Sequence, residues 1–477
     1  MQRKDWLDQL TSKTCTVIGL GISNRPLISF LLGHGAAVTA RDRSERQKLG
    51  AYADELEALG VRLFLGEDYL ENITEEVVFR SPGIRPDLPQ IDRAVKRGAI
   101  LTSEMELFLE LTPARTVGIT GSDGKTTTTT LTHLILEEAA RRRGGRVFVG
   151  GNIGTPLLPL AEEMGERDVA VVELSSFQLM TAPRSVERAA ITNLSPNHLN
   201  WHVDMEEYIQ SKTNIYRHAP NQRAVFNADN PTSHALIASY GGVKTLFSSS
   251  RATRAAFGEL LGVADSAVYA RDGVVYLSSG AEERAVMRVS DLLLPGVHNL
   301  ENMMTAIALT DGMADAEDVC RVASSFVGVE HRLERVRVLD GVTYYNSSID
   351  STPTRTAAAL SALPKKPIVI CGGCDKHIPF DTLAESICSK ARAVVLTGET
   401  APAIARALEE AECSLPIYRK DRFDDAVVCA HDVAETGDIV LLSPACASFD
   451  AFANFMERGR RFKDLVNRFT TKENPNE

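Results

Sequence analysis

Apolar runs of three to six residues recur along the chain. Each is followed by a turn rich in glycine or hydroxyl residues, then by a longer stretch with apolar positions three and four apart. Buried parallel strands joined by amphipathic helices give this pattern, because such a strand is covered on both faces while a helix keeps one face to water. Strands at 14–19, 37–40 and 77–79, with helices at 26–32 and 104–111, make a first unit ending at Thr112-Pro113. A second series has strands at 116–119, 147–149, 169–176 and 189–193. The helix that follows, 205–218, puts Tyr208, Ile209, Lys212, Ile215 and Tyr216 on one face. Residues 223–295 read as a mixed, β-rich region. Strands at 336–339, 343–346, 368–371, 393–396 and 439–442, with a helix at 353–363, restart the alternation. The expected fold class is α/β in three domains: a Rossmann-like N-terminal domain (1–112), a central P-loop ATPase-type α/β domain (113–329) and a C-terminal Rossmann-like domain (330–477) with a parallel sheet.

The strongest chemical signal is Val117 to Leu131, V-G-I-T-G-S-D-G-K-T-T-T-T-T-L. A strand enters a glycine-bearing turn and leaves as a helix start, the order that aims backbone N–H groups and a helix N-terminus at phosphates. Gly124, Lys125 and Thr126 fit the P-loop spacing, with the first glycine one place early at Gly118. ATP is therefore expected against Gly121, Asp123, Gly124, Lys125, Thr126 and Thr127.

Glu173 ends a buried strand beside this loop, where P-loop proteins hold Mg²⁺; the plain alternative is an ion-paired glutamate. His198 and His202 lie in the loop after 189–193. Lys212 projects from an apolar helix face, so it is either buried and deprotonated or snorkels to water. In the first unit, G-L-G-I-S-N (19–24) looks like a nucleotide-binding turn with Asn24 in the third glycine position, and Asp42 stands some 20 residues on. The plain alternative is a tight turn without ligand. Ser81-Pro82-Gly83 follows another strand, Asn152 lies in a glycine turn, and Asn299 and Asn302 stand one turn apart as caps or base contacts.

A net charge of −11 argues against broad nucleic-acid binding. No run approaches the ~20 apolar residues of a membrane span, and the opening M-Q-R-K-D-W lacks a signal peptide's apolar core, so a cytoplasmic location is expected. The eight cysteines are mostly isolated in apolar or helical contexts and read as reduced core residues. Cys371-Gly-Gly-Cys374 is the exception, as a redox pair or half a zinc site, but no second C-x-x-C completes four ligands.

Taken together, G-I-T-G-S-D-G-K-T-T (118–127), E-L-S-S-F-Q-L (173–179), N-L-S-P-N-H-L (193–199), H-N-L-E-N (298–302), H-R-L-E (331–334) and L-S-P-A-C-A-S-F-D-A-F (442–452) resemble the Mur ligases, ATP-dependent amide-forming enzymes of bacterial cell-wall synthesis. The second and last of these point to the glutamate-adding branch. The resemblance covers nearly the whole chain. It implies small-molecule substrates, UDP-N-acetylmuramoyl-L-alanine, D-glutamate and ATP, in a monomer. The UDP end would lie at Gly21, Ile22, Ser23, Asp42, Ser81 and Gly83, with Asn152 at the acyl substrate. Lys125 would contact the β- and γ-phosphates; Thr126 and Glu173 would hold one Mg²⁺, and His198 and a carbamylated Lys212 (N6-carboxylysine) a second. Asn299, Asn302 and Arg332 match positions near ATP, and Lys376, Ser448, Phe455 and, more loosely, Ser351 match positions around D-glutamate. The chain departs from the family at Asn346-Ser347-Ser348-Ile349, where N-D-S-K is common, leaving open whether Asp350 compensates. Asn197 and Asn200 stand where acids often flank the histidine. Another Mur-type or folylpolyglutamate-synthase-like ligase is the nearest alternative. An NAD-dependent dehydrogenase with an accessory ATPase module, or a nucleotide-gated interaction module, comes from other classes.

Overall fold

The structure is a computed structural model that describes residues 12–21, 24–199, 201–294, 296–375 and 378–471. The expectations at Ile22, Ser23, Asn200 and Lys376 lie outside the described residues. The chain divides between Phe326 and Val327 into two compact units.

The first unit carries two sheets. In one, β1 (Thr14–Ile18), β2 (Ala37–Asp42), β3 (Arg62–Leu65), β4 (Val77–Arg80) and β5 (Ile100–Thr102) pair in parallel in the order β3-β2-β1-β4-β5. β1 is central because its apolar residues are buried on both faces. The order reverses between β1 and β4, so the turns after them, 19–21 and 81–83, face a common crevice, where open α/β sheets take ligands.

The other sheet holds β6 (Arg115–Thr120), β7 (Val147–Gly151), β8 (Val169–Glu173), β9 (Arg188–Ile191), β10 (Arg223–Asn227), β11 (Lys244–Ser248), β12 (Ser266–Arg271), β13 (Val274–Ser279) and β14 (Glu282–Arg288). Their order is β14-β13-β12-β11-β10-β9-β6-β8-β7, parallel from β7 to β12 and antiparallel beyond. β6 therefore lies between β8 and β9, and the P-loop, Glu173 and the loop after residue 191 leave neighbouring strand tips. Helices Lys125–Arg143 and Val297–Thr310 pack on each other. Leu27 and Phe108 beside the first sheet, Leu158 in the helical turn Leu158–Leu160, and Val172 and Ile191 of the second sheet belong to one continuous apolar core. Burying each such side chain stabilises the unit by about 1.5–3 kcal/mol.

The second unit holds β15 (Glu334–Leu339), β16 (Val342–Asn346), β17 (Ile368–Cys371), β18 (Ala393–Leu396), β19 (Ile417–Arg419) and β20 (Ile439–Leu442) in the order β15-β16-β20-β17-β18-β19. Alternate residues of β17 and β20 enter separate apolar clusters on opposite faces, as a doubly covered parallel strand requires. The expectation of an all-parallel sheet is corrected at one edge, where β15 and β16 are antiparallel. Asp340-Gly341 joins them with positive φ at both residues (50° and 77°), the two-residue hairpin turn that Asp-Gly favours.

The reading of Cys388 and Cys413 as reduced core thiols is also corrected. Cys388 and Cys413 form a disulfide with their Cα atoms 5.3 Å apart, because the helix at Asp381–Lys390 passes the turn after the helix at Ala401–Glu410. Cys371 and Cys374 are not joined to each other. Cys371 is buried at the end of β17, its Sγ 3.2 Å from the Ser443 carbonyl oxygen, and burial pushes its thiol pKa well up. No helix among the described residues is long and apolar enough to cross a membrane.

Candidate active site

β6 ends at Thr120 and the chain turns through 121–124 into the helix Lys125–Arg143, whose N-cap is Gly124. The loop is bolted to the segment after β9. Ser122 Oγ donates to the Ser195 carbonyl (2.9 Å) and accepts from the Ser195 amide, and it lies 2.8 Å from the Tyr208 hydroxyl. Thr192 Oγ1 donates to the Asp123 carbonyl at 2.6 Å, and the Asp123 amide donates to Asn193 Oδ1 at 3.0 Å. Lys125 Nζ lies across the turn, donating to the Gly121 and Ser122 carbonyls at 3.0 and 2.9 Å.

Gly118 does not serve the loop, which corrects its placement as the motif's first glycine. It sits inside β6, where a Cβ would come within 2.8 Å of Val186 Cγ2. Gly121 is the position the turn restricts. Its φ is 147°, and a Cβ would lie 1.9 Å from Thr192 Oγ1. Gly121→Ala is expected to destabilise the first unit by about 1–3 kcal/mol in urea unfolding, the usual range for overpacking and backbone strain. It should also raise the apparent KM for ATP; an alanine variant with unchanged stability and KM would contradict this reading.

A cavity of about 150 Å³ opens beside the loop between Asp123, Gly124, Phe247, His298, Glu301 and Asn302. Asn302 Oδ1 accepts from Thr128 Oγ1 at 3.2 Å. Thr126 and Thr127 occupy the first turn of the P-loop helix. Asn299 does not line this cavity. His298, Glu301, Asn302 and Thr305 form the i, i+3, i+4, i+7 face of the helix Val297–Thr310, and Asn299 stands one position off it. Nor does either asparagine cap that helix, whose N-cap is Gly296.

Glu173, at the tip of β8, is 1% exposed. Its Oε1 accepts from Asn152 Nδ2 at 2.7 Å, while Oε2 is buried with no hydrogen-bond partner among the described residues. A buried carboxylate oxygen left unpaired is costly, and a cation there would satisfy it. Asn152 thus spends its amide on Glu173.

Lys212 is also buried, with Nζ donating to Thr120 Oγ1 (3.2 Å) and the Gly121 carbonyl (2.9 Å), 4.6 Å from the centre of the Tyr208 ring. Burial, reinforced by the charge on Lys125, holds its pKa well below the usual lysine range; Glu173 and Asp123 oppose the shift without cancelling it. His198 is exposed, with φ of 55°, and its ring stands edge-on to Phe177 at 4.9 Å. Lys212 is buried, as one of the two sequence readings had it, and does not snorkel to water.

In the first sheet, Asp42 accepts from the Leu20 and Ser44 amides at 2.7 Å each, and the buried Asn24 amide donates to the Ile18 and Gly19 carbonyls. Asn24 therefore holds the turn from inside, in place of the third glycine. Gly21 and Gly83 are exposed and Ser81 is half-buried.

In the second unit, Ser448 is buried and Arg332 exposed, and the Ser351 amide donates to the Ile349 carbonyl. The Phe455 carbonyl accepts from Ser348 Oγ at 2.8 Å, and its ring stands edge-on to His331 at 6.0 Å. Asp350 is 6% exposed and accepts from Ser443 Oγ at 2.8 Å, and burial raises its pKa. It braces the loop after β20 and offers no exposed carboxylate to a nucleotide.

Residues 13–103 match the N-terminal domain described as Mur ligase MurD-like, residues 119–310 the Mur ligase middle domain, and residues 331–446 the Mur ligase glutamate ligase domain. The chain is 45% identical over 469 residues to the UDP-N-acetylmuramoylalanine–D-glutamate ligase of Clostridium novyi (strain NT), covering 97% of this chain and 98% of that one. This chain belongs to the Mur ligase family. The UDP-N-acetylmuramoylalanine–D-glutamate ligase of Acetivibrio thermocellus is 43% identical over 471 residues, 97% of this chain and 98% of its own. Among solved structures, MurF from Acinetobacter baumannii superposes with a TM-score of 0.57 over 97% of this chain and 98% of that one; at 16% identity the likeness shows the fold alone.

Three groups in this Mur ligase were not singled out by sequence reasoning. His298, Glu301 and Phe247 were findable in part, since the first two share a helix face with Asn302. Arg458 is 2% exposed and donates to Ser348 Oγ and to the Ser348, Cys446 and Ala447 carbonyls, pinning the loops after β16 and β20 together. Arg85 and Trp201 join the loop after β4 to the His198 turn, and Arg85 beside it holds the Glu207 pKa down at about 2.

Proposed function

We propose that this Mur ligase is an ATP-dependent carboxylate–amine ligase that adds D-glutamate to UDP-N-acetylmuramoyl-L-alanine in peptidoglycan precursor synthesis. The observation that carries the chemistry is the convergence of three adjacent strand tips: a phosphate loop on β6, a carboxylate with an unpaired buried oxygen on β8, and the His198 loop after β9. The choice of glutamate rests on near-full-length identity with relatives named for that reaction. The enzyme acts as a cytoplasmic monomer in three substrate-holding domains, 1–112, 113–329 and 330–477.

A carboxylate is a poor electrophile in water, so the L-alanyl carboxylate first attacks the γ-phosphorus of ATP; the bond to the β,γ-bridging oxygen breaks and ADP leaves. The neutral amine of D-glutamate then attacks the acyl carbon, the bond to the phosphoryl oxygen breaks, inorganic phosphate departs and the nitrogen loses a proton. Lys125 swings from the Gly121 and Ser122 carbonyls onto the β- and γ-phosphate oxygens, and the N–H groups of 121–127 cradle them. Thr126 and Glu173 would hold one Mg²⁺ and His198 and carbamylated Lys212 a second, which the unpaired Glu173 oxygen and the buried Lys212 amine, its pKa lowered by that burial, suit. Bound Mg²⁺ supplies charge neutralisation between the two anions that must meet. Gly21, Ile22, Ser23, Asp42, Ser81 and Gly83 take the uridine diphosphate end and Asn152 the acyl end. Asn299, Asn302 and Arg332 lie toward the nucleotide, and Ser351, Lys376, Ser448 and Phe455 hold the carboxylates of D-glutamate.

ADP release measured with UDP-N-acetylmuramoyl-L-alanine, with and without D-glutamate, tests this reading. Turnover is expected to need D-glutamate and to fail with L-alanine, meso-diaminopimelate or a folate acceptor. Turnover that follows one of those instead would move the chain to another branch.

A further inference from the structure

The loop after β4 is strapped to the turn that carries His198 by a bond set no motif announces. All five Arg85 N–H groups are used. Nε and Nη2 donate to the two Asp87 oxygens at 2.8 Å; Nη2 and Nη1 donate to the two Glu207 oxygens at 2.9 and 3.1 Å; Nη1 also donates to the Trp201 carbonyl at 2.7 Å. The guanidinium lies 5.1 Å from the centre of the Trp201 ring. Trp201 returns the contact, its Nε1 donating to the Gly83 carbonyl at 3.0 Å. The Trp201 and His202 amides both donate to the His198 carbonyl, at 2.9 and 3.0 Å, closing the turn on that residue. Glu207 opens the helix Met205–Arg217, which also presents Tyr208 to Ser122 of the P-loop and Lys212 to Gly121. The buried His202 bridges Glu207 (3.1 Å) and Ser176 (2.9 Å).

A planar fork saturated by two carboxylates and a carbonyl is an expensive arrangement for a surface loop, because it fixes a long side chain in one rotamer. Its effect is geometric: Gly83 cannot shift without moving Trp201, and Trp201 cannot shift without moving His198. We propose that Arg85 is a positioning residue that couples the Ser81–Gly83 substrate loop to the His198 turn, so that seating the UDP-linked substrate and ordering the divalent-cation ligands are one event. This rests on the function proposed above, in which the first loop holds UDP-substrate and the second a metal.

The test is steady-state kinetics of Arg85→Met, which keeps the apolar stem, and of Trp201→Phe, which keeps an aromatic ring but removes the indole N–H. Arg85→Met is expected to raise the KM for UDP-N-acetylmuramoyl-L-alanine and the half-saturating Mg²⁺ concentration together, each about tenfold, with the KM for ATP changed less than twofold. Trp201→Phe should move the same two constants by a smaller factor. The double variant should move them by less than the product of the single effects, because both act on one strap. Arg85→Lys, unable to form the fork, should resemble Arg85→Met. A lower melting temperature with both constants unchanged would mean a merely structural arginine and overturn the proposal, as would a shift in the substrate constant alone. If Arg85→Met fails to fold, Trp201→Phe and Arg85→Lys decide by the same two constants. Absence of D-glutamate-dependent ADP release in the unaltered enzyme would instead defeat the functional reading itself.

Discussion

Lys125→Ala is expected to lower kcat for ADP formation by about 10³-fold, about 4 kcal/mol of transition-state stabilisation. In the structure the ammonium rests on two carbonyls of its own loop, contacts worth roughly 0.5–1.5 kcal/mol each. The variant should therefore fold with at most a modest loss of stability, and the main loss should fall on chemistry rather than on architecture. The reason is the reaction's charge: an anionic carboxylate must approach an anionic phosphoryl group, and a fixed cation on the β- and γ-oxygens acts most strongly as that charge spreads. The KM for UDP-N-acetylmuramoyl-L-alanine, which the proposed function seats at the other sheet of the unit, should change little. Single-turnover ADP formation separates these effects. A near-normal rate in the alanine variant would remove the phosphate loop from the mechanism.

Much of the scaffold that delivers Lys125 is legible before any coordinates. Runs such as 169–172 and 439–442 are apolar at every position, a pattern only a strand covered on both faces sustains, and both lie in fully buried parallel strands. The Lys-Thr-Thr helix start after a strand likewise specifies a phosphate loop locally, since the backbone alone builds it. Long-range pairing is where the reading thins. Gly118 looks like part of the loop because its spacing is nearly right, yet its small size serves Val186 across the sheet. The Asp340-Gly341 turn is a local signal that a βα expectation overrode. The Cys388–Cys413 bond needs two elements 25 residues apart to meet. Arg85 and Arg458 are the clearest cases, because an arginine on a surface loop and one inside a fold are spelled alike. Only the carbonyls and carboxylates around each, drawn from segments up to 122 residues away, reveal what it holds.

Lys212→Ala is expected to lower kcat by about 10²- to 10³-fold, and millimolar formate or acetate should restore part of the loss. An ordinary lysine at pH 7 is neutral in roughly one molecule in 2,500, too seldom to trap carbon dioxide efficiently. Burial against Thr120, Gly121 and Tyr208 holds this amine's pKa well below the usual lysine range and so raises its neutral share. The nitrogen can then attack carbon dioxide; an N–C bond forms, one C=O electron pair moves to oxygen, and the nitrogen loses a proton, leaving a carbamate able to ligate a cation. Activity should fall in carbon-dioxide-free buffer and return with bicarbonate, while the alanine variant ignores bicarbonate and answers only to the short carboxylate. Stability supplies a second readout with a definite sign. In carbon-dioxide-free buffer the folded state binds fewer protons than the unfolded chain wherever the pH lies between the depressed folded pKa and about 10.4, so stability rises with pH across that window. Lys212→Met escapes this deprotonation and should be the more stable protein at pH 7, with the gap narrowing as pH approaches about 10.4. An alanine variant that turns over at the normal rate without added carboxylate would sink the carbamate, and a pH-independent stability gap would sink the neutral amine on which it depends.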